Sequence, residues 1–515
     1  MKRFVLAILV AAVPAAAADI RFEAPTWESP RYQVRLALDV GTSPLTLKEV
    51  QLEGVRIEPA PVFRAGKPVD AAKPLDPGAY EVVLDYAWSS GKAYAFTLFL
   101  QGQDPAKVER RAYKAQSPSG GGIPPGGVEG FYRLYRVQET AGMERTDEVV
   151  TLTVTASRAA MPGPNLRLFD GRDEVPYQLL DLRASEPVES VAKTNPPSAT
   201  AKMAVPLSVR PYEKKLLLVL RGTPRPPTPA GLSLSGEGLG KTLASPHLVL
   251  GFHPQSGQVL TIESPEAGVK LWNKAGVIHW NPDVFVPGVA WDHSFDWNPP
   301  AAFEEKAGPV VYLNARKGPM PRVKDVGLEV RYQVDAYHPW FVAETKMTVE
   351  KDLGVIAVRN DEMVLYKELF DALMYRDTSG RVVTMPLKEL PETPFGLVHI
   401  APPDVPWVGL VNTARKFGFF SLRLAATASN LDAAGDFGHK AGTYFYAPSD
   451  GDYVYWVRPL VYTWADYATN TLLSFVPKGS FFYEKNAYIV LRLSDTTPRE
   501  LDTLLRRLRE PLRVF

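Results

Sequence analysis

Four of the chain's ten tryptophans fall close together: Trp272, Trp280, Trp291 and Trp297. His279, Asp283, Asp292, His293 and Asp296 sit among them. The run Trp291-Asp292-His293-Ser294-Phe295-Asp296-Trp297, followed by Asn298-Pro299-Pro300, has the turn-forming residues of a loop. Exposed aromatic rings beside carboxylates and imidazole suit sugar recognition. The ring covers the apolar face of a pyranose while polar groups take its hydroxyls. On this reading Trp280, Trp291, Trp297, Asp292 and Asp296 bind substrate. Asp292 and Asp296 could instead ligate a hard cation through oxygen. The structural alternative is that the rings close a core and the aspartates cap turns.

All seven histidines follow residue 246: His247, His253, His279, His293, His338, His399 and His439. His439 lies in Gly435-Asp436-Phe437-Gly438-His439-Lys440, a loop leading to Tyr444, Phe445 and Tyr446. Arg359-Asn360-Asp361-Glu362 is a polar break after an apolar stretch. Abstraction of the proton alpha to a uronate needs a neutraliser for the carboxylate, a base, and an acid for the leaving oxygen. Arg359 or Asn360 could neutralise, and His293 or His439 with Tyr444 or Tyr446 could act as base and acid. Tyr446 could also line the substrate. A glycosidase needs two carboxylates at a set separation, for which Asp292 or Asp296 with Glu362 is a conceivable pair. The alternatives are a charged turn at Arg359 to Glu362 and histidines that are simply hydrogen-bonded.

Several chemistries are excluded. The chain has no cysteine, which removes thiol catalysis, thiolate-bound zinc and iron–sulfur clusters. There is no HExxH, phosphate-binding Gly-rich loop, EF-hand loop or GxSxG elbow. No metal or cofactor is expected. Lys and Arg number 58 against 57 Asp and Glu, and basic runs are absent, which argues against nucleic acid as a partner. No stretch reaches the ~20 apolar residues of a membrane span.

The elements that must position these residues read as strands. Tyr32 to Asp39, Tyr80 to Tyr86 and Tyr94 to Leu100 are alternating or fully apolar, and predict a small β-sandwich over 19–116. Ser117 to Gly127 is a linker by composition. Glu148 to Ala156 and Lys215 to Leu220 predict a second β-sandwich module over 128–222, with a hairpin at Leu166 to Leu180 turning at Asp170-Gly171. After the Pro-rich stretch from Gly222 to Pro229, residues 238–515 read as one large β domain, with strands at Leu248 to Phe252, Gly327 to Asp335, Trp340 to Val349, Phe419 to Leu424 and Tyr488 to Leu493. Its C-terminal helix opens on Thr497-Pro498-Arg499-Glu500, a capping box in which the Thr497 hydroxyl would accept from the Glu500 amide. Leu501, Leu504, Leu505 and Leu508 then share one face. The fold class is all-β.

Two stretches resemble known families. Pro246 to Asn273, with a turn at His253-Pro254-Gln255-Ser256-Gly257, is similar to the opening hairpin of supersandwich, galactose-mutarotase-like domains in carbohydrate-active enzymes. Leu166 to Leu180 resembles a hairpin in β modules of secreted polysaccharide-degrading proteins, including rhamnogalacturonan lyases. The resemblance implies a supersandwich-like large domain and a polysaccharide or oligosaccharide partner. It transfers no catalytic residue, because neither motif is catalytic.

The chain opens like an export signal: Lys2-Arg3, an apolar run from Phe4 to Val13, then Ala16-Ala17-Ala18 ahead of a cleavage point before Asp19. A secreted or periplasmic protein is expected, with residues 1–18 removed. Joined to the strand-rich architecture, this favours a secreted carbohydrate-active protein, with β-elimination of a uronate glycan as the leading activity. A non-catalytic carbohydrate-binding or cell-envelope protein, a glycoside hydrolase and a sugar epimerase are the rivals. Oligomeric state is not legible.

Overall fold

A computed structural model of the chain describes residues 20–23, 33–56, 60–65, 67–84, 93–116, 132–157, 165–170, 173–184, 198–222, 231–394, 396–402, 404–429, 442–449, 451–462 and 473–515. The segment read as an export signal, the linker at 117–127 and His439 lie outside the described residues. Among the described residues, strands hold 62% and helix 6%, which settles the all-β class.

Two compact units emerge. The first draws on Met1–Arg136, Ser157–Val175 and Lys215–Arg225. It contains a sandwich of a five-stranded and a four-stranded antiparallel sheet. Ala93–Gln101 alternates buried and half-buried residues, because successive side chains of a strand point to opposite faces. Phe96, Leu98 and Leu100 thereby meet Val34, Leu36 and Val82 in one core. In the same unit Leu166–Asp170 pairs with Asp173–Glu174 and with Lys214–Arg221. The hairpin expected from Leu166 to Leu180 therefore closes early. Pro176, which has no N–H to give a ladder, follows its short second arm, and Gln178–Ala184 pairs instead with Ser198–Val209.

The second unit draws on Val137–Ala156, Pro176–Lys214 and Pro226–Phe515. Its centre is a seven-stranded sheet built from β1 (Asp283–Val286), β2 (Ala290–His293), β3 (Ala357–Tyr366), β4 (Glu392–Thr393), β5 (Gly396–Ile400), β6 (Tyr444–Pro448) and β7 (Tyr453–Tyr462). The spatial order is β2-β1-β3-β7-β6-β5-β4. A nine-stranded antiparallel sheet covers one face, and Val358, Met363, Leu365 and Trp456 pack there with Val330, Phe341, Phe419 and Tyr488. Every residue from Ala357 to Leu365 is buried. A strand buried on both faces needs a second covering beyond the core, and that covering is the candidate site.

The expected hairpin at Pro246 to Asn273 forms. Val249–Phe252 pairs with Val259–Ser264, and the Gly257 amide donates to the His253 carbonyl at 2.8 Å. Gly257 has φ +68°, which glycine adopts without a Cβ clash. The helix α1 (Thr497–Arg509) lays Leu501, Leu504 and Leu505 against Trp340, Trp407, Phe420 and Ile489, on the face of the nine-stranded sheet away from the main core. Full burial of such a leucine contributes about 1.5–3 kcal/mol. The capping box does not form as expected. Thr496 is the cap and Thr497 the first helical residue, so the Glu500 amide donates to the Thr496 carbonyl while the Thr497 hydroxyl accepts from the Ser494 amide.

Candidate active site

Antiparallel pairing lines up three polar residues. His293 on β2 faces Asp283 on β1, and Asp283 faces Arg359 on β3. Residues directly opposed in this way share a face of the sheet. The Arg359 guanidinium donates to both Asp283 oxygens, at 3.1 Å from Nε and 2.6 Å from Nη2. Nη2 also reaches Glu362 at 3.2 Å. His293 Nε2 lies 3.6 Å from Asp283 Oδ2, and its Nδ1 lies 3.8 Å from Asp296. Ligand-capable atoms of Asp283, His293 and Glu362 all fall within 4.8 Å of one another. These three could chelate an ion, but the Arg359 fork already occupies both Asp283 oxygens and supplies the positive charge.

A bulge in β3 brings Glu362 onto this face. Asn360 pairs with Arg458 and Met363 with Trp456, so two β3 residues oppose one on β7. Asp361 takes φ +50°, a costly conformation for a residue with a Cβ. Its carboxylate is held from the core side by Ser421, Trp456, Tyr488 and Arg458. Strict alternation would send Arg359 and Glu362 to opposite faces. With the extra residue both point outward, while Asn360 and Asp361 point inward.

The charges do not balance. Arg359 is one cation between two carboxylates, and all three are buried. Burial pushes the Glu362 carboxyl well above its ordinary value of 4.5; Arg359 opposes this and Asp283 adds to it. Burial thus favours the protonated form of Glu362. Burial pulls the Arg359 guanidinium down, but the Asp283 and Glu362 charges outweigh it and hold the proton more firmly than usual. Burial also raises the Tyr455 hydroxyl, which senses both Arg359 and Glu362.

Half-buried aromatic rings frame the cluster. Trp291 lies under the guanidinium, 3.5 Å from Arg359 Cζ to the ring centroid. Trp280 meets His293 edge-on at 5.3 Å and Phe295 at the same distance. Tyr455 stands 5.2 Å from Tyr446 and 6.2 Å from Tyr453.

The structure thus brings together His293, Arg359, Trp280, Trp291 and Tyr446 from the sequence-derived set. Tyr444, two residues before Tyr446 on β6, shares its face. Asp296 is exposed, beside His293 and 3.1 Å from Arg322. Three residues are corrected. Trp297 is a core residue whose Nε1 donates to the Pro319 carbonyl at 2.7 Å. Asp292 points away from Trp291 and His293, and accepts the Arg322 and Val323 amides at 2.8 and 2.7 Å. Asn360 turns to the core, where it donates to Thr345 Oγ1 at 2.5 Å. The cause is common to Trp297 and Asp292: the run from Trp291 is not a loop but the end of β2 followed by a 3-10 turn at Ser294–Asp296. His399 sits elsewhere on the sheet, 3.2 Å from the Tyr375 hydroxyl.

Sequence reasoning gave Asp283 and Tyr455 no role. Asp283 follows Pro282 in an otherwise apolar strand, a polar exception that signals a purpose, but its partner is 76 residues away. Tyr455 belongs to the alternating run Tyr453-Val454-Tyr455-Trp456, in which the tyrosines face one side.

No protein-family model matches the chain, and no curated protein matches it. Among solved structures, an alpha-mannosidase from Enterococcus faecalis V583 is 11% identical with a TM-score of 0.46, over 75% of this chain and 46% of that one. A galactose mutarotase related enzyme from Lactobacillus acidophilus is 12% identical with a TM-score of 0.28, over 51% of this chain and 98% of that one. A galactose mutarotase-like protein from Lactobacillus casei is 9% identical with a TM-score of 0.28, over 50% of this chain and 99% of that one. The chain spans less than half the length of the mannosidase.

Proposed function

We propose that the chain acts on a sugar by general acid–base chemistry, with Glu362 as the acid and His293 as the base. One observation carries this reading. A single cation, Arg359, serves two buried carboxylates, which favours the protonated form of Glu362 beside an imidazole and a half-buried aromatic rim. An acid and a base held side by side are what ring opening of a cyclic sugar needs. The base removes the proton of the anomeric hydroxyl, the C1–O5 bond breaks, and the acid protonates O5. Reclosure on the other face returns both protons and inverts the anomeric centre. Trp280 and Trp291 would cover the apolar face of the ring.

Retaining hydrolysis is the second reading. The close approach of the Asp283 and Glu362 oxygens favours it, because retaining enzymes keep their carboxyl groups about 5–5.5 Å apart. Asp283 would then have to leave Arg359 to attack carbon. β-Elimination is less well supported, since Arg359 is engaged by Asp283 and Asn360 faces the core.

Polarimetry on freshly dissolved aldoses, run beside reducing-end release from oligosaccharides and ultraviolet absorbance of uronate digests, separates the three. Faster approach to the anomeric equilibrium, abolished in Glu362→Gln, is the expected result. Reducing ends or an unsaturated product without anomeric exchange would overturn the proposal. Sugar binding with none of these reactions would leave a non-catalytic binding protein.

We also propose that the chain is exported, on the strength of Lys2-Arg3, the apolar run from Phe4 to Val13 and the small residues before Asp19. Protein recovered outside the cytoplasm should begin at Asp19; full-length chain retained in the cytosol would refute export.

A further inference from the structure

We propose that the nine-stranded sheet carries a second ligand site, independent of the acid–base cluster, which takes an acidic, uronate-bearing glycan chain. The site is an open groove of about 610 Å³ on the face turned away from the main core. That volume lies within the roughly 300–1,000 Å³ of ligand clefts. Strand register builds its floor. Leu313, Gln333 and Val342 stand in line across three strands, and Ala315, Arg331, Glu344 and Lys485 form the next row. The neighbouring strand Ala302–Lys306 adds Glu304 and Lys306. Gln178–Ala184 and Ser198–Val209 supply the other wall, with Asp181, Arg183 and Lys202.

The groove has unspent positive charge. Arg316 also borders it, but its guanidinium turns inward to Gln258. The other lining residues include six cationic side chains against four carboxylates. Arg331 is taken by Glu329 and Arg183 by Asp181. Lys202, Lys306, Lys317 and Lys485 make no salt bridge among the described residues. The field of Lys202 and Lys306 is felt at Asp181. Desolvation pushes that carboxyl up, but the Arg183 hydrogen bond and the Lys306, Arg183 and Lys202 charges hold it below its ordinary value.

The mixture identifies the ligand. Spaced ammonium groups match a chain with one carboxylate per residue, and the interspersed carboxylates can accept from its hydroxyls. The apolar floor of Leu313, Ala315 and Val342 can lie under C–H faces. A nucleic acid strand fits less well. Among the described residues Tyr332 is the one aromatic residue lining the groove, and its ring packs in the core, so these residues offer no stacking platform.

The test measures binding of polygalacturonate oligomers, of the same oligomers reduced to neutral sugars, of dextran sulfate and of single-stranded DNA. Lys317→Ala/Lys485→Ala is compared with the unaltered chain and with Glu362→Gln. Polygalacturonate is expected to bind, the neutral form at least tenfold more weakly. Binding should weaken as salt rises from about 0.05 M to about 0.5 M, because mobile ions screen exposed charges. The double variant should lose at least tenfold in affinity with an unchanged melting temperature, and Glu362→Gln should bind as the unaltered chain does. Failure of polygalacturonate to bind, equal binding of the neutral oligomer, or an unaffected double variant overturns the proposal. Tighter binding of dextran sulfate or DNA than of polygalacturonate overturns the uronate assignment. Loss of binding in Glu362→Gln alone would move the ligand to the other site.

Discussion

Asp283 and Arg359 face each other on adjacent strands, with the guanidinium gripping both carboxylate oxygens at 3.1 and 2.6 Å. The Asp283 side chain has no exposed area and that of Arg359 is 8% exposed, so neither can turn to water if the other is lost. The pair also acts on Glu362, whose proton affinity Arg359 lowers and Asp283 raises.

Arg359→Met should therefore destabilise the chain by about 3–5 kcal/mol, because Asp283 is left buried without a cation. Arg359→Lys should fall in between, since an ammonium keeps the charge but cannot make the two-pronged contact. Urea unfolding curves for the three proteins check the order. Equal midpoints would show that the pair holds nothing together.

Glu362→Gln removes a titration as well as a proton donor. The folded carboxyl titrates above its unfolded value of 4.5, so the folded state holds more protons than the unfolded state between the two. Stability from this group is complete below the unfolded value and declines as pH rises towards the folded one. The glutamine variant lacks that decline. It should thus gain on the parent protein as pH rises above about 4.5, while losing catalysis at every pH. Parallel stability curves from acid to neutral pH would contradict the assignment.

His279 should do the opposite. It is buried in the core with Nδ1 2.5 Å from the Tyr332 hydroxyl, and burial lowers its pKa from 6.5 to about 3. The unfolded state binds the extra proton first. Stability should fall as pH drops from 6.5 towards 3, at up to about 1.4 kcal/mol per pH unit. Nitrogen NMR should find the ring neutral at pH 5, and His279→Gln should flatten the acid limb. A charged ring at pH 5 in the folded protein would refute this.

The tryptophans should divide into two kinds. Trp291→Ala and Trp280→Ala should weaken sugar binding by about tenfold with modest loss of stability, as expected where a half-exposed ring faces ligand. Trp297→Ala should cost about 3–5 kcal/mol of stability through the cavity it leaves. Calorimetric melting and sugar titration on all three decide the matter. A binding defect confined to Trp297→Ala would reverse the site assignment.

Much of this was legible in one dimension. Trp340 to Val349 has the same bounds as a strand in sequence and structure, because apolar alternation is a local property. His293, Arg359, Trp280 and Trp291 were reachable because clustered aromatics and a polar break in an apolar strand are local anomalies. Asp283 was visible but mute. Its meaning depends on a strand partner far along the chain, and no local rule sets that register. Trp291 and Trp297 look alike in sequence, yet one frames the site and the other fills the core. A 3-10 turn between them changes the direction in which the side chain points.

By itself the sequence determined the all-β class, the position of the C-terminal helix and the absence of thiol chemistry, since composition and periodicity act residue by residue. Only the tertiary structure decided that the Glu362 proton is held more firmly than usual. That follows from one bulge at Asp361, which turns Glu362 out of the core beside Arg359 and Asp283. Proton affinity depends on burial and neighbouring charge, and both exist only once distant strands have paired.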